Sequence, residues 1–145
     1  MQRILRLSFV CTLFFLLTAY GRSSAQSDNI TLEILNIKDI TGEMVVSVYN
    51  TDRNWLIEGK EYWKKSFEVT SSAMEVKIEN LPSDNYAIAL FHDVNSDAEF
   101  NTNKLGIPAE PYGFSNNVRP ILKAPPFGKA ILSNTVDRVS INLIH

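Results

Sequence analysis

From Ile30 onward, apolar residues recur at every second position in short runs cut by turn-forming residues. That period sends successive side chains to opposite faces of an extended chain, so each run reads as a strand with a buried face. Residues 30–37 alternate in this way. Residues 44–50 follow a turn-like 39–42 and are rich in β-branched side chains, so the two runs are expected to form an antiparallel hairpin. Residues 66–70 and 74–79 alternate again. The run Tyr86-Ala87-Ile88-Ala89-Leu90-Phe91 is almost wholly apolar, as befits a central strand covered on both faces. Residues 129–135 and 138–144 close the chain as strands. No stretch carries an apolar stripe of helical period, and neither a repeat nor a charge block is present. The expected fold is all-β, a single antiparallel β-sandwich of about seven strands.

The first residues read differently. Arg3 and Arg6 precede an apolar run over residues 7–17, and Ser23-Ser24-Ala25 supplies small residues where a signal peptidase cuts. Residues 1–25 are therefore expected to be a signal peptide and 26–145 the mature domain. The apolar run is short for a membrane span, and no stable span is expected after its removal. Cys11 lies inside this run, which is not where a lipid-modified cysteine stands. Cleavage after Ala25 removes three arginines and no acid, taking the formal charge from -2 to -5. The mature chain then has no cysteine, which excludes a disulfide, a thiol nucleophile and a thiolate metal site. Its acidic balance argues against nucleic acid as a partner. The expected location is periplasmic or extracellular, and the expected state a monomer.

The run 86–91 delivers the chain into His92-Asp93-Val94-Asn95-Ser96-Asp97-Ala98-Glu99-Phe100-Asn101. Asp93, Asn95 and Asp97 hold the first, third and fifth places of a calcium-type loop. The Glu99 carbonyl could serve at the seventh and Asn101 at the ninth. Hard cations need several oxygens around one point, so these five residues are the candidate ligands and Ca²⁺ the candidate ion. Two positions depart from an EF-hand. The sharp turn at the sixth place falls on Ala98, where a left-handed backbone costs a residue with a Cβ about 1 kcal/mol or more. The twelfth place is Lys104 instead of a bidentate Glu. With no helical pattern on either side, a calcium loop on a β scaffold fits better than an EF-hand. A plain polar hairpin loop is the competing reading, because Asn, Asp and Ser favour turns with or without metal.

Residues 101–127 are long and irregular and contain Pro108, Pro111, Pro120, Pro125 and Pro126. Such a Pro/Gly-rich insertion is usually functional or a packed Ω-loop. It is expected to fold back over residues 93–101, bringing Glu110 or Asn116 beside the acidic loop. His92 is a further supporting residue. Trp55 and Trp63 either pin the segment 51–65 onto the core or form a surface for an apolar ligand.

Three groups of residues, read together, resemble the DUF2141 family of small exported bacterial proteins. They are Leu81-Pro82 through Tyr86-Ala87, then His92-Asp93-x-Asn95-x-Asp97, then Leu105-Gly106-Ile107-Pro108-x-Glu110-x-Tyr112-Gly113-Phe114-Ser115-Asn116. The resemblance implies an exported all-β domain of immunoglobulin-like or transthyretin-like type, and it implies no activity. This chain departs from the family pattern at Asp84-Asn85 and at Ala98, where glycine is usual. It also departs at Gly128 and Lys129, which replace two acids between Phe127 and Ala130.

For catalysis, His92 and His145 are the only imidazoles, and no catalytic residue is assigned. Asp93, Asp97, Glu99 and Glu110 supply carboxylates, from which a glycoside-hydrolysing pair would need a defined separation. The leading expectation is an exported, non-enzymatic, calcium-stabilised module that binds a carbohydrate, peptide or other envelope component. A hydrolase working through carboxylates near Asp93, and a carrier of a small apolar ligand, are the alternatives.

Overall fold

The computed structural model describes residues 29–82 and 84–145, and the leader read over 1–25 lies outside them. The described chain is mostly β-strand in two sheets. The smaller sheet holds β1 (Ile30–Leu35), β4 (Met74–Ile78) and β8 (Arg138–Asn142), in the order β4-β1-β8. The larger runs β3-β2-β5-β6, from β2 (Glu43–Tyr49), β3 (Trp63–Glu68), β5 (Tyr86–Asp93) and β6 (Tyr112–Phe114). A two-residue strand, β7 (Ile131–Leu132), also pairs with β5 beyond β6.

Two expectations about pairing are corrected. β1 and β2 do not form a hairpin; they lie in different sheets. The reason is legible in their burial. β1 alternates between buried and half-buried positions, whereas β2 is buried from Met44 to Tyr49 on both faces. A strand buried on both faces belongs inside a larger sheet, and β2 is flanked by β3 and β5. The arrangement is also not wholly antiparallel, because β1 runs parallel to β8, with Leu32 opposite Val139 and Ile34 opposite Ile141.

One apolar core draws on both sheets. Leu32, Ile34, Val76, Ile78 and Ile141 of the smaller sheet meet Met44, Val46, Val48, Ile88 and Leu90 of the larger. All the buried residues of this core lie between Ile30 and Leu143. At β6 the two sheets approach closely. A Cβ on Gly113 would sit 2.6 Å from the Ile141 side chain, so the absence of one permits the approach. The adjacent Tyr112 N–H donates to the Ile144 carbonyl at 3.0 Å and the Ile144 N–H to the Tyr112 carbonyl at 2.7 Å.

The other face of the larger sheet carries a second cluster. Trp55 sits edge-on to Tyr49 at 5.2 Å and to Phe127 at 5.7 Å, and its indole N–H donates to the Pro125 carbonyl at 2.7 Å. The strand expected over 129–135 shrinks to β7, preceded by a single helical turn, Phe127–Ala130. The cause is competition for carbonyls. On the N-terminal side of β7, Asn116 Nδ2 donates to the Lys129 carbonyl and the buried Ser115 hydroxyl to that of Ala130, so these two groups are not free for a ladder; on its C-terminal side the Val136 N–H turns back to the Ser133 carbonyl at 3.1 Å.

Gly42 joins the two sheets in a conformation and a space that exclude a side chain. Its φ is +70°, and a Cβ there would lie 2.1 Å from the Asp93 carbonyl oxygen. Gly42→Ala is expected to lose about 2–4 kcal/mol of stability in urea unfolding, from backbone strain plus displacement of β5. A loss within experimental error would mean that this contact is not tight. Burial lifts the Tyr86 hydroxyl to about 12, and burial followed by the nearby Glu61 carboxylate does the same for Tyr49. Folded values above the unfolded value of about 10 give stability that is complete below pH 10 and is lost as pH rises toward 12. Tyrosinate absorbance followed alongside circular dichroism should show both phenols ionising together with unfolding.

Candidate functional site

β5, in the interior of the larger sheet, ends at Asp93, which has no exposed surface. A carboxylate removed from water needs donors, and the following residues wind around it to supply them. The Asp97 N–H reaches Asp93 Oδ1 at 3.2 Å and the Ala98 N–H reaches Oδ2 at 2.8 Å. The wind is tight enough to force Ser96 and Ala98 into the left-handed region, at φ 57° and 64°.

Asp97 forms a second, exposed focus. Its Oδ1 accepts the Glu99 N–H at 2.9 Å. Its Oδ2 accepts Nδ2 of Asn95 at 2.8 Å and Nδ2 of Asn101 at 2.9 Å. Hydrogen bonds from Asn101, then Glu99, then Asn95 hold the Asp97 carboxyl below its ordinary range. Glu110 closes the loop from the far side. It is buried, its Oε2 accepts the Asn101 N–H at 3.0 Å, and the Ala109 N–H donates to the Asn101 carbonyl at 2.9 Å. Glu110 Oε1 is also buried and has no hydrogen-bond partner among the described residues.

The structure thus brings Asp93, Asn95, Asp97, Glu99 and Asn101 into one hydrogen-bonded loop and sets Glu110 against it. Among the described residues, no three side chains of His, Cys, Asp or Glu form a metal-holding group. Asn116 does not join the loop; it clamps the segment around Ala130. His92 faces away from Asp93, as neighbours on a strand must. It is fully buried, with Nε2 2.7 Å from the Thr41 carbonyl, and offers no imidazole to solvent. Its own N–H donates to the Pro111 carbonyl at 2.8 Å, which ties the long insertion to β5.

A protein-family model described as an uncharacterized protein conserved in bacteria, DUF2141, matches residues 32–142. The chain belongs to the DUF2141 family. No curated protein and no solved structure matches it.

In this DUF2141 protein the matched span covers all of the loop residues and the insertion that clips them. Two residues of structural weight carry no local sequence signature of their roles. Asn117 Oδ1 accepts the Asn142 N–H at 2.7 Å while its Nδ2 donates to the Ser140 carbonyl, so it fastens the insertion to β8. Asn116 and Asn117 both have positive φ, 60° and 51°. Asparagine is enriched in that region, but this says nothing of the distant carbonyls that the two side chains reach. The half-buried Trp55 packs its ring against Tyr49, Phe114 and Phe127. Two open clefts, of about 190 and 330 Å³, are not lined by Trp55 or Trp63, although Phe114 borders the first.

The left-handed backbone at Ala98 yields a test. Ala98→Gly is expected to raise stability by about 0.5–1 kcal/mol, because the Cβ strain outweighs the added freedom of the unfolded chain. Chemical unfolding of the two proteins measures it, and a destabilised glycine variant would contradict the strain.

Proposed function

We propose that this DUF2141 protein is an exported, non-enzymatic binding module, a β-sandwich of immunoglobulin-like or transthyretin-like type, whose acidic loop seats Ca²⁺ and meets an envelope or extracellular component. The observation that carries this reading is the winding of residues 93–101 around the buried Asp93 carboxylate, with Asp97 and Glu99 left at the surface. A loop already wound by its own hydrogen bonds has little ordering left to do when a ligand arrives. Ca²⁺ takes about six to eight oxygens, including amide and backbone carbonyl groups and water. The carboxylate of Asp97, the Glu99 carbonyl and the side-chain oxygens of Asn95 and Asn101 are of the right kind. Asn95 and Asn101 now aim Nδ2 at Asp97, and turning either amide over offers its oxygen instead.

The leader-like first segment supports export, and one core shared by two sheets supports the sandwich. The chosen partner class, a carbohydrate or peptide, follows from a surface that is polar and acidic at the loop with Phe100 exposed beside it.

The reading predicts that Ca²⁺ raises the melting temperature by about 4 °C or more relative to EGTA, at an ion concentration well above the dissociation constant. Asp97→Asn should abolish most of that shift while the melt in EGTA stays within a few degrees of wild type. A melt indifferent to Ca²⁺ removes the ion from the account. Binding to immobilised envelope polysaccharide or peptide that is unaffected by Asp97→Asn would remove the loop as the contact surface.

A further inference from the structure

Away from the acidic loop, the segment between β6 and the helical turn Phe127–Ala130 carries the most exposed large apolar side chains described. Ile121 is 94% exposed and Leu122 is 99% exposed. An adjacent pair of aliphatic side chains left almost wholly in water is a candidate contact surface, since larger exposed apolar patches mark protein or membrane interaction sites. The base beneath them is held at both ends. Trp55 bonds the carbonyl of Pro125 and Asn117 is bonded to Asn142, so the tip projects from fixed feet.

The charge carried by this segment is one-sided. Arg119 and Lys123 flank the two aliphatic residues, and neither forms an ion pair among the described residues. Residues 111–136 contain Arg119, Lys123 and Lys129 and no acid, in a chain whose formal charge is -2. The backbone is also unsuited to adding a strand to another protein's sheet. Pro120, Pro125 and Pro126 have no N–H to donate, and residues 118–126 form no strand. A projecting apolar pair between two cations matches a bilayer surface. There the aliphatic side chains enter the acyl boundary while the cations stay at the headgroups.

We propose that the tip Arg119–Lys123 docks the protein reversibly onto an anionic lipid surface. The contact is peripheral and independent of the acidic loop.

Residues 26–145 retain the entire core and are the chain to test, free of the apolar leader. Flotation is measured with phosphatidylcholine vesicles and with vesicles that also contain phosphatidylglycerol. The expected result is binding to the anionic vesicles, release on raising salt, and much weaker binding to the neutral ones. Ile121→Ser with Leu122→Ser should weaken binding to anionic vesicles by roughly ten-fold or more. Arg119→Gln with Lys123→Gln should weaken it by roughly ten-fold and leave the neutral vesicles unchanged. Leu105→Ser, which alters an exposed leucine outside this segment, should bind like wild type, and Leu122→Ser alone guards against loss of folding in the double variant. Equal binding to both vesicle types, or wild-type binding by either double variant, overturns the proposal. So does light scattering that shows a dimer split by Ile121→Ser with Leu122→Ser, since the tip would then be an interface between two copies.

Discussion

The buried carboxylate of Asp93 organises the end of the molecule on which the functional reading depends. It sits at the last position of the central strand with no contact with water, and it accepts the N–H groups of Asp97 and Ala98. Hydrogen bonds to a charged acceptor are stronger than those between neutral groups, and leaving such an acceptor bare inside a protein is costly. The loop is therefore wound by the need of one strand-end carboxylate and not by propensity alone. That need is strong enough to hold an alanine at φ 64°. The same residue presses its backbone carbonyl against Gly42, so the turn between the sheets and the acidic loop share one fixed point.

Much of this was legible in the residues. The alternation over residues 30–37 and the apolar run 86–91 located β1 and β5, because a period of two excludes a helical face and a short, wholly apolar run suits a strand covered on both sides. The spacing of Asp93, Asn95 and Asp97 marks a loop of oxygen-bearing side chains, which reads as a calcium-type or a plain polar loop, and of the two residues expected beside it Glu110 is there and Asn116 is not. Pairing was less legible. The 39–42 turn looks like a hairpin connection, yet it carries the chain from one sheet to the other. Only the burial of β2 on both faces, which depends on distant partners, decides between the two. The N-terminal shortening of β7 has the same origin. Ser115 and Asn116 act on carbonyls more than a dozen residues away, and no local pattern announces a long-range side-chain bond.

The long insertion is fixed at several points and is not a free loop. His92 holds it at Pro111, β5 at Tyr112–Phe114, Asn117 at β8 and Trp55 at Pro125. Prolines reduce what the unfolded chain can explore, so each anchor acts on a segment already limited in its options. Rigidity of this kind is what allows a segment without regular structure to present particular side chains at fixed places.

The parallel pairing of β1 with β8 has a consequence for how the molecule is made. The strand β1 lacks one of its two neighbours until residues 138–142 have been synthesised. A pair of strands alone is marginal in water, so the smaller sheet, and with it one wall of the core, cannot be completed on a ribosome still translating residues 138–142. The smaller sheet is therefore the later of the two to close, and the core is sealed only when β8 comes to lie beside β1.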